Sequence, residues 1–408
     1  MGFKEKKTAI LEQRNSILKL LLYINLPNLI FLYLFNVIVS EPYMDEYFHY
    51  NQFRAYNRNQ FTYWDPKITT PPGLYLIQRL FSIILPGELG MLRAINCLFF
   101  SNVFIVYVLK IYDFLEPCPG NLTRTLNLAL TPTIYFFNFL DYTDSASLAV
   151  VAAMFYYNIT KSEWRLGFVS LVAVFIRQNN LIWILYLIVY RVLSDNRKAI
   201  QTPKSLPAHV LTVLRIFITN RTQILMQSRF QILVLGGFAG YIYFLNNGKL
   251  VFGDHEHHKL SAHPNQLLYL ALFSVLNIPI TLGEYISSVS TFFQRIYISR
   301  HALAAYLFLL SISIILVDQF TLIHPFIRDD NRHFTFYIYR YLLKPTFPKF
   351  TLCLAYAFSF HFLFKQVVNS ELKLMRFILW LGATTAYLCL GELVEFRYFA
   401  IPFLLLCF

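Results

Sequence analysis

Long apolar runs, parted by short polar breaks, recur along the chain. The first covers Leu20–Val39 and follows a stretch carrying Lys4, Lys6, Lys7, Arg14 and Lys19. At about 20 residues it is long enough to cross ~30 Å of hydrocarbon as a helix. No small-residue cleavage site follows, so a spanning helix is expected rather than a cleaved leader. Further runs lie at 89–112, 122–140, 145–159, 166–176, 181–193, 231–246, 265–290, 301–323, 347–366, 374–391 and 398–408. They amount to about 12 candidate spans, those at 166–176 and 398–408 being short for a full crossing. The pattern predicts an all-α polytopic membrane protein, organised as a single membrane domain over 1–408.

The polar breaks are of two kinds. The loop 191–229 holds Arg191, Arg197, Lys198, Lys204, Arg215, Arg221 and Arg229 against one acid, Asp195. Basic loops stay cytoplasmic, and with a cytoplasmic N-terminus the turns at Lys161/Arg165 and Arg295/Arg300 fall on that side too. The opposite face collects 40–88, 141–144, 177–180, 247–264, 324–346 and 392–397, where nearly every dense polar cluster lies. Such gathering on one face predicts a composite site there. The sequons at Asn121, Asn158 and Asn220 fall on or beside cytoplasmic segments, so none is expected to carry a glycan.

Composition narrows the class. The 408 residues are 57% apolar, 18% aromatic and 14% charged, with a mean hydropathy of +0.49. A soluble domain carries about 25% charged residues, so a disordered chain is excluded and a water-soluble globule disfavoured. Lys and Arg number 35 against 22 acids, a net charge of +13. Because they are scattered between apolar runs, they read as cytoplasmic-loop charge rather than a nucleic-acid surface. Five cysteines, among them Cys97 and Cys118, show no CxxC spacing, which implies neither a disulfide framework nor a zinc site. No internal repeat, GxxxxGK[ST] or GxGxxG motif occurs, so no nucleotide cradle is expected.

Candidate chemistry concentrates in the first outward loop. Asp45 and Glu46, in Glu41-Pro-Tyr-Met-Asp-Glu-Tyr-Phe-His-Tyr50, sit just beyond the first span. A carboxylate near a substrate hydroxyl can act as general base. Neighbours on an extended chain point opposite ways, so one would be the base while the other orients it or holds a basic partner. Further on, Tyr63-Trp-Asp-Pro-Lys-Ile-Thr-Thr-Pro-Pro-Gly-Leu-Tyr75 offers Trp64 as a flat face for a sugar ring, Asp65 as a hydroxyl acceptor and Lys67 as a charge for phosphate. Pro66, Pro71 and Pro72 stiffen the loop. Asp141 and Asp144 could bound an acceptor groove or serve only their loop. His255, His257, His258 and His263 have a spacing that can chelate zinc, but phosphate or sugar contact is the preferred reading and no metal or other cofactor is expected.

The runs MDEYFHYNQ, WDPKITTPPGLY, FIRQNN, GDHEHHKLSAH, DNRHFTFYIYR and EFRYFAIP, in this order, resemble the dolichyl-phosphate-glucose-dependent alpha-1,2-glucosyltransferases. The resemblance runs from about residue 40 to residue 408, with WDPKITTPPGLY and DNRHFTFY its most specific parts. The chain departs from the pattern at Asn179, where Thr is expected, and at Arg328 and Asp329 before the DNRH motif. The resemblance implies a GT-C fold with a lumenal active site in the endoplasmic reticulum membrane. It implies transfer of glucose from dolichyl-phosphate glucose to the 2-hydroxyl of the terminal glucose of a diglucosylated dolichyl-diphosphate oligosaccharide, the last glucosylation before N-glycan transfer. The base matches Asp45 or Glu46, with Asp45 preferred. Substrate contacts map to His49, Trp64, Asp65, Lys67, Arg177, Gln178, Asn179, Asp254, His258, His263, Asp330, Asn331, Arg332, His333, Glu395, Arg397 and Tyr398. Inversion from a beta-linked donor to an alpha product needs one displacement at C1 and no covalent intermediate. The lipid phosphate leaves as an anion, so cations rather than a general acid are required, with Arg332, His333, Arg177, His258 and Arg397 as candidates. Membrane lipid is the expected surrounding partner. The competing reading is a transporter or flippase of polyprenyl-linked sugars, but such proteins usually bind near the bilayer midplane between repeated halves.

Overall fold

The computed structural model describes residues 3–201, 205–249, 252–253, 261–278, 282–332, 334–368 and 370–408. Every regular element among them is helical. The chain divides into two compact units: Met1–Leu187 with Leu225–His255 and Phe408, and Ile188–Ile224 with Glu256–Cys407.

The first unit contains α1 (Phe3–Ile38), α2 (Glu46–Asn57), α3 (Gly73–Phe81), α4 (Leu89–Leu115), α5 (Asn121–Ala129), α6 (Pro132–Phe137), α7 (Thr143–Ile159), α8 (Glu163–Ile176), the first half of α9 (Asn180–Asp195) and α10 (Arg229–Phe244). The apolar run 122–140, read as one span, is broken between α5 and α6. Pro132 opens α6, where its missing N–H leaves no gap in the helix. Helix α7 is buried on nearly every side and packs on α4 and α8. Its sequence explains this: Ser145, Ala146, Ser147, Ala149, Ala152 and Ala153 present so little bulk that neighbouring backbones can close in all round.

The second unit contains α11 (Asn265–Asn277), α12 (Arg300–Phe320), α13 (Thr346–Val367), α14 (Glu371–Leu388) and α15 (Phe396–Leu406). The run 265–290 is likewise split, α11 ending at Asn277 and a separate helix covering Leu282–Ile298. The basic loop is folded: Ile200 and Ile216 pack with Val192, Leu193 and Met375 into a small core.

Four helices are long and apolar enough to cross a membrane by length and composition: Arg14–Ile38, Leu89–Leu115, Arg300–Phe320 and Thr346–Val367. Pro207–Thr219, Arg229–Phe244 and Phe396–Leu406 are shorter apolar helices. Large apolar side chains stand exposed along them, such as Leu22, Tyr33, Phe308 and Ile315, as expected for a protein solvated by lipid. Two of the sequon asparagines are buried, with Nδ2 of Asn121 donating to Asp113 and Nδ2 of Asn158 to the Leu187 carbonyl.

Candidate active site

In the first unit, segments far apart in sequence meet around the exit of α1. Glu46 opens α2 and is fully buried. Its Oε1 accepts from Arg93 Nε (2.9 Å) and the Asp141 amide (2.6 Å); its Oε2 accepts from Arg93 Nη2 (2.6 Å) and the Tyr43 amide (2.8 Å). Four donors on two oxygens satisfy this carboxylate, and Arg93, itself fully buried, matches its charge. Asp45, one residue earlier, is half-buried at the N-terminus of α2, where the helix dipole favours an anion. The Asp45 amide donates to the Tyr142 hydroxyl (3.1 Å).

One turn along α2, His49 Nδ1 lies 2.6 Å from the hydroxyl of Tyr75, which is fully buried. The His49 ring also faces Tyr142, with 5.6 Å between centroids. Gln78 donates to Asp141 Oδ1. Burial and the neighbouring Glu46 push the Asp141 carboxyl up to about 7, so near neutrality it is only partly ionised.

The WDPKITTPPGLY segment folds beside this cluster. Asp65 is buried: its amide donates to Gln52 Oε1 (2.8 Å), and its Oδ1 accepts from the Lys67 amide (2.9 Å), which turns the chain. Lys67 is exposed and Trp64 half-buried. Two glycines permit the close packing here. A Cβ on Gly73 would lie 2.5 Å from the Phe175 carbonyl oxygen at the end of α8, and one on Gly253 would lie 2.5 Å from the Ile68 oxygen. Gln178 donates to the Thr69 carbonyl (2.8 Å), while Arg177 grips Asp144 through two bonds (2.9 and 3.2 Å) and Thr143 through a third. Asn179 is exposed.

A cavity of about 1070 Å³ lies between α8 and α10. Its walls include Phe168, Leu171, Phe175, Leu233 and Tyr241. It is therefore apolar along the helices, and Trp64 is also among its lining residues.

The second unit holds its own cluster. Arg332 pairs with Asp330 (2.7 Å) in an exposed turn, with Asn331 also exposed. Arg397 pairs with Glu395, both buried, and its guanidinium lies over the Tyr398 ring. The two segments touch through Phe334 and Phe396, whose ring centroids are 5.4 Å apart. His263 is buried near Glu392, its Nδ1 lying 3.1 Å from that carbonyl, and burial pushes its pKa down. Asp254, His258 and His333 lie outside the described residues, as do His255 and His257.

Sequence reasoning passed over Arg93, Gln78 and Tyr142. A signal existed for the first: Arg93 is a charge near the start of the apolar run 89–112, and such charges are seldom placed without a partner.

Comparison with known proteins shows the family. The model of the DIE2/ALG10 family matches residues 39–408. A Rattus norvegicus protein named Dol-P-Glc:Glc(2)Man(9)GlcNAc(2)-PP-Dol alpha-1,2-glucosyltransferase is 29% identical, over 91% of this chain and 84% of its own length. Proteins of the same name from Homo sapiens and Arabidopsis thaliana are 30% and 28% identical, each over 91% of this chain, with 84% and 86% of their own lengths covered. No solved structure matches the chain.

Proposed function

The chain belongs to the DIE2/ALG10 family, and from that premise we propose that it is an inverting glucosyltransferase of the endoplasmic reticulum membrane. It moves glucose from dolichyl-phosphate glucose to the 2-hydroxyl of the terminal glucose on a diglucosylated dolichyl-diphosphate oligosaccharide, forming an alpha-1,2 bond. The names of its relatives support that activity. The finer architecture belongs to the same proposal: a GT-C type enzyme with about 12 spans, crossing the membrane many times, its site facing the lumen.

One observation carries the mechanism: Asp45 stands at the mouth of α2 while the oxygens of adjacent Glu46 are fully engaged. Asp45 is therefore the base. It takes the proton of the acceptor 2-hydroxyl as that oxygen attacks C1 of glucose, and the C1–O bond to phosphate breaks as the new bond forms. Such a base contributes ~100- to 10,000-fold in rate. Trp64 offers its face to a sugar ring, and the apolar cavity that it helps to line, at the upper end of usual ligand-site sizes, suits an isoprenoid chain. Arg177, Arg332 and Arg397 are the described cations for the departing phosphate, their planar forks matching its oxygens. His49, Asp65, Lys67, Gln178, Asn179, His263, Asp330, Asn331, Glu395 and Tyr398 complete the proposed contacts, with Asp254, His258 and His333 beyond the described residues. No cofactor is required, since a phosphate leaves without one.

The test is glucose incorporation by purified protein in detergent, from dolichyl-phosphate glucose into a synthetic diglucosylated acceptor, with EDTA present. Transfer is expected with no second compartment. Failure in detergent together with glucosyl-lipid movement across vesicles would favour a flippase instead.

A further inference from the structure

The turn that presents Asp45 is wound against its own preference. Met44 has φ +55°, a left-handed conformation that residues bearing a Cβ seldom enter. Strain of this kind persists only where the surroundings fix it. Here they do, through one buried guanidinium. Besides its two bonds to Glu46, Arg93 donates through Nη1 to Asn36 Oδ1 (3.1 Å) and the Val39 carbonyl (2.6 Å), and through Nη2 to the Glu41 carbonyl (3.1 Å). Glu46 reaches back to the Tyr43 amide, and Tyr142 holds the Asp45 amide. The backbone is thus pinned on both sides of Met44, at Val39, Glu41, Tyr43 and Asp45.

We propose that Arg93 and Glu46 are positioning residues that hold Met44 left-handed and thereby aim the Asp45 carboxylate at the acceptor hydroxyl. The inference rests on Asp45 being the base. Its logic is that the bond network and the unfavourable turn are a matched pair, so that weakening the network lets the turn relax and swings Asp45 away. Substrates would still bind, while the chemical step slows.

Glycine distinguishes positioning from mere stapling of the fold, because it enters the left-handed region freely. In the purified full chain, Glu46→Gln keeps an acceptor but loses the charge. It is expected to lower kcat about 100-fold, the scale of an ångström's misplacement, with KM for donor and acceptor unchanged. Adding Met44→Gly to Glu46→Gln should recover about 5- to 30-fold in kcat, the population factor set by removing the left-handed penalty. Should Glu46→Gln fail to fold, Tyr142→Phe carries the same test. It deletes the acceptor of the Asp45 amide, and its kcat loss should again be relieved by Met44→Gly. Full kcat in both single variants, a change confined to KM, or no recovery with glycine overturns the proposal. Asp45→Asn run alongside separates the two claims: if it stays active the base assignment fails, and if it is dead while glycine rescues nothing, only the positioning claim falls.

Discussion

Two arginine–carboxylate pairs, one in each unit, are built in opposite ways. Arg93 and Glu46 are both fully buried and 47 residues apart in sequence. Arg332 and Asp330 are two residues apart, with side chains 66% and 24% exposed. The first joins distant segments and is shut away from water, so it can only hold shape. The second costs little to open, because exposed pairs contribute at most about 1 kcal/mol, which suits the phosphate contact proposed for Arg332. Burial and sequence separation thus tell a pair that ties distant segments together from one confined to a single turn.

That comparison breaks most readily at Arg93. Arg93→Leu leaves Glu46 as an uncompensated buried charge, which costs about 3–5 kcal/mol. A large fall in Tm or loss of folded protein in detergent is expected. Arg332→Ala should leave Tm unchanged and instead raise KM for the donor or lower kcat, and Arg332→Lys should restore it only in part, since an ammonium cannot pair with two oxygens in a plane. Equal Tm losses in both variants would erase the distinction.

The next effect sharpens the buried side. Asp141 beside Glu46 has a pKa raised to about 7, well above that of an unfolded carboxyl near ~3.9. The folded state therefore binds this proton more tightly, and the contribution of Asp141 to stability falls as pH rises from about 4 to 7. Asp141→Asn should match the parent near pH 4 and exceed its Tm above pH 7. A Tm difference independent of pH would contradict the assignment.

The smallest effects concern close approach. Gly73→Ala drives a methyl to 2.5 Å from the Phe175 oxygen, whereas a Cβ on Gly237, in the wall of the large cavity, meets nothing within 4 Å. The first should cost about 1–3 kcal/mol and the second almost nothing, as read by thermal unfolding.

Much of this was legible in the sequence. Apolar runs marked the helices, and motif order marked the loops that meet in the first unit, such as 40–88 with 141–144 and 177–180. Hydropathy alone did not show the break at Pro132 or the split of 265–290, because an apolar run reads the same whether one helix or two occupy it. Nor could adjacent acids be separated by composition. Glu46 is held by Arg93, 47 residues on, and such a contact has no local signature.

The role of Asp45 as base rests on the turnover of purified Asp45→Asn with dolichyl-phosphate glucose and diglucosylated acceptor. A loss of at least ~100-fold in kcat is expected, with Tm and acceptor KM near those of the parent. Turnover close to the parent's would contradict it.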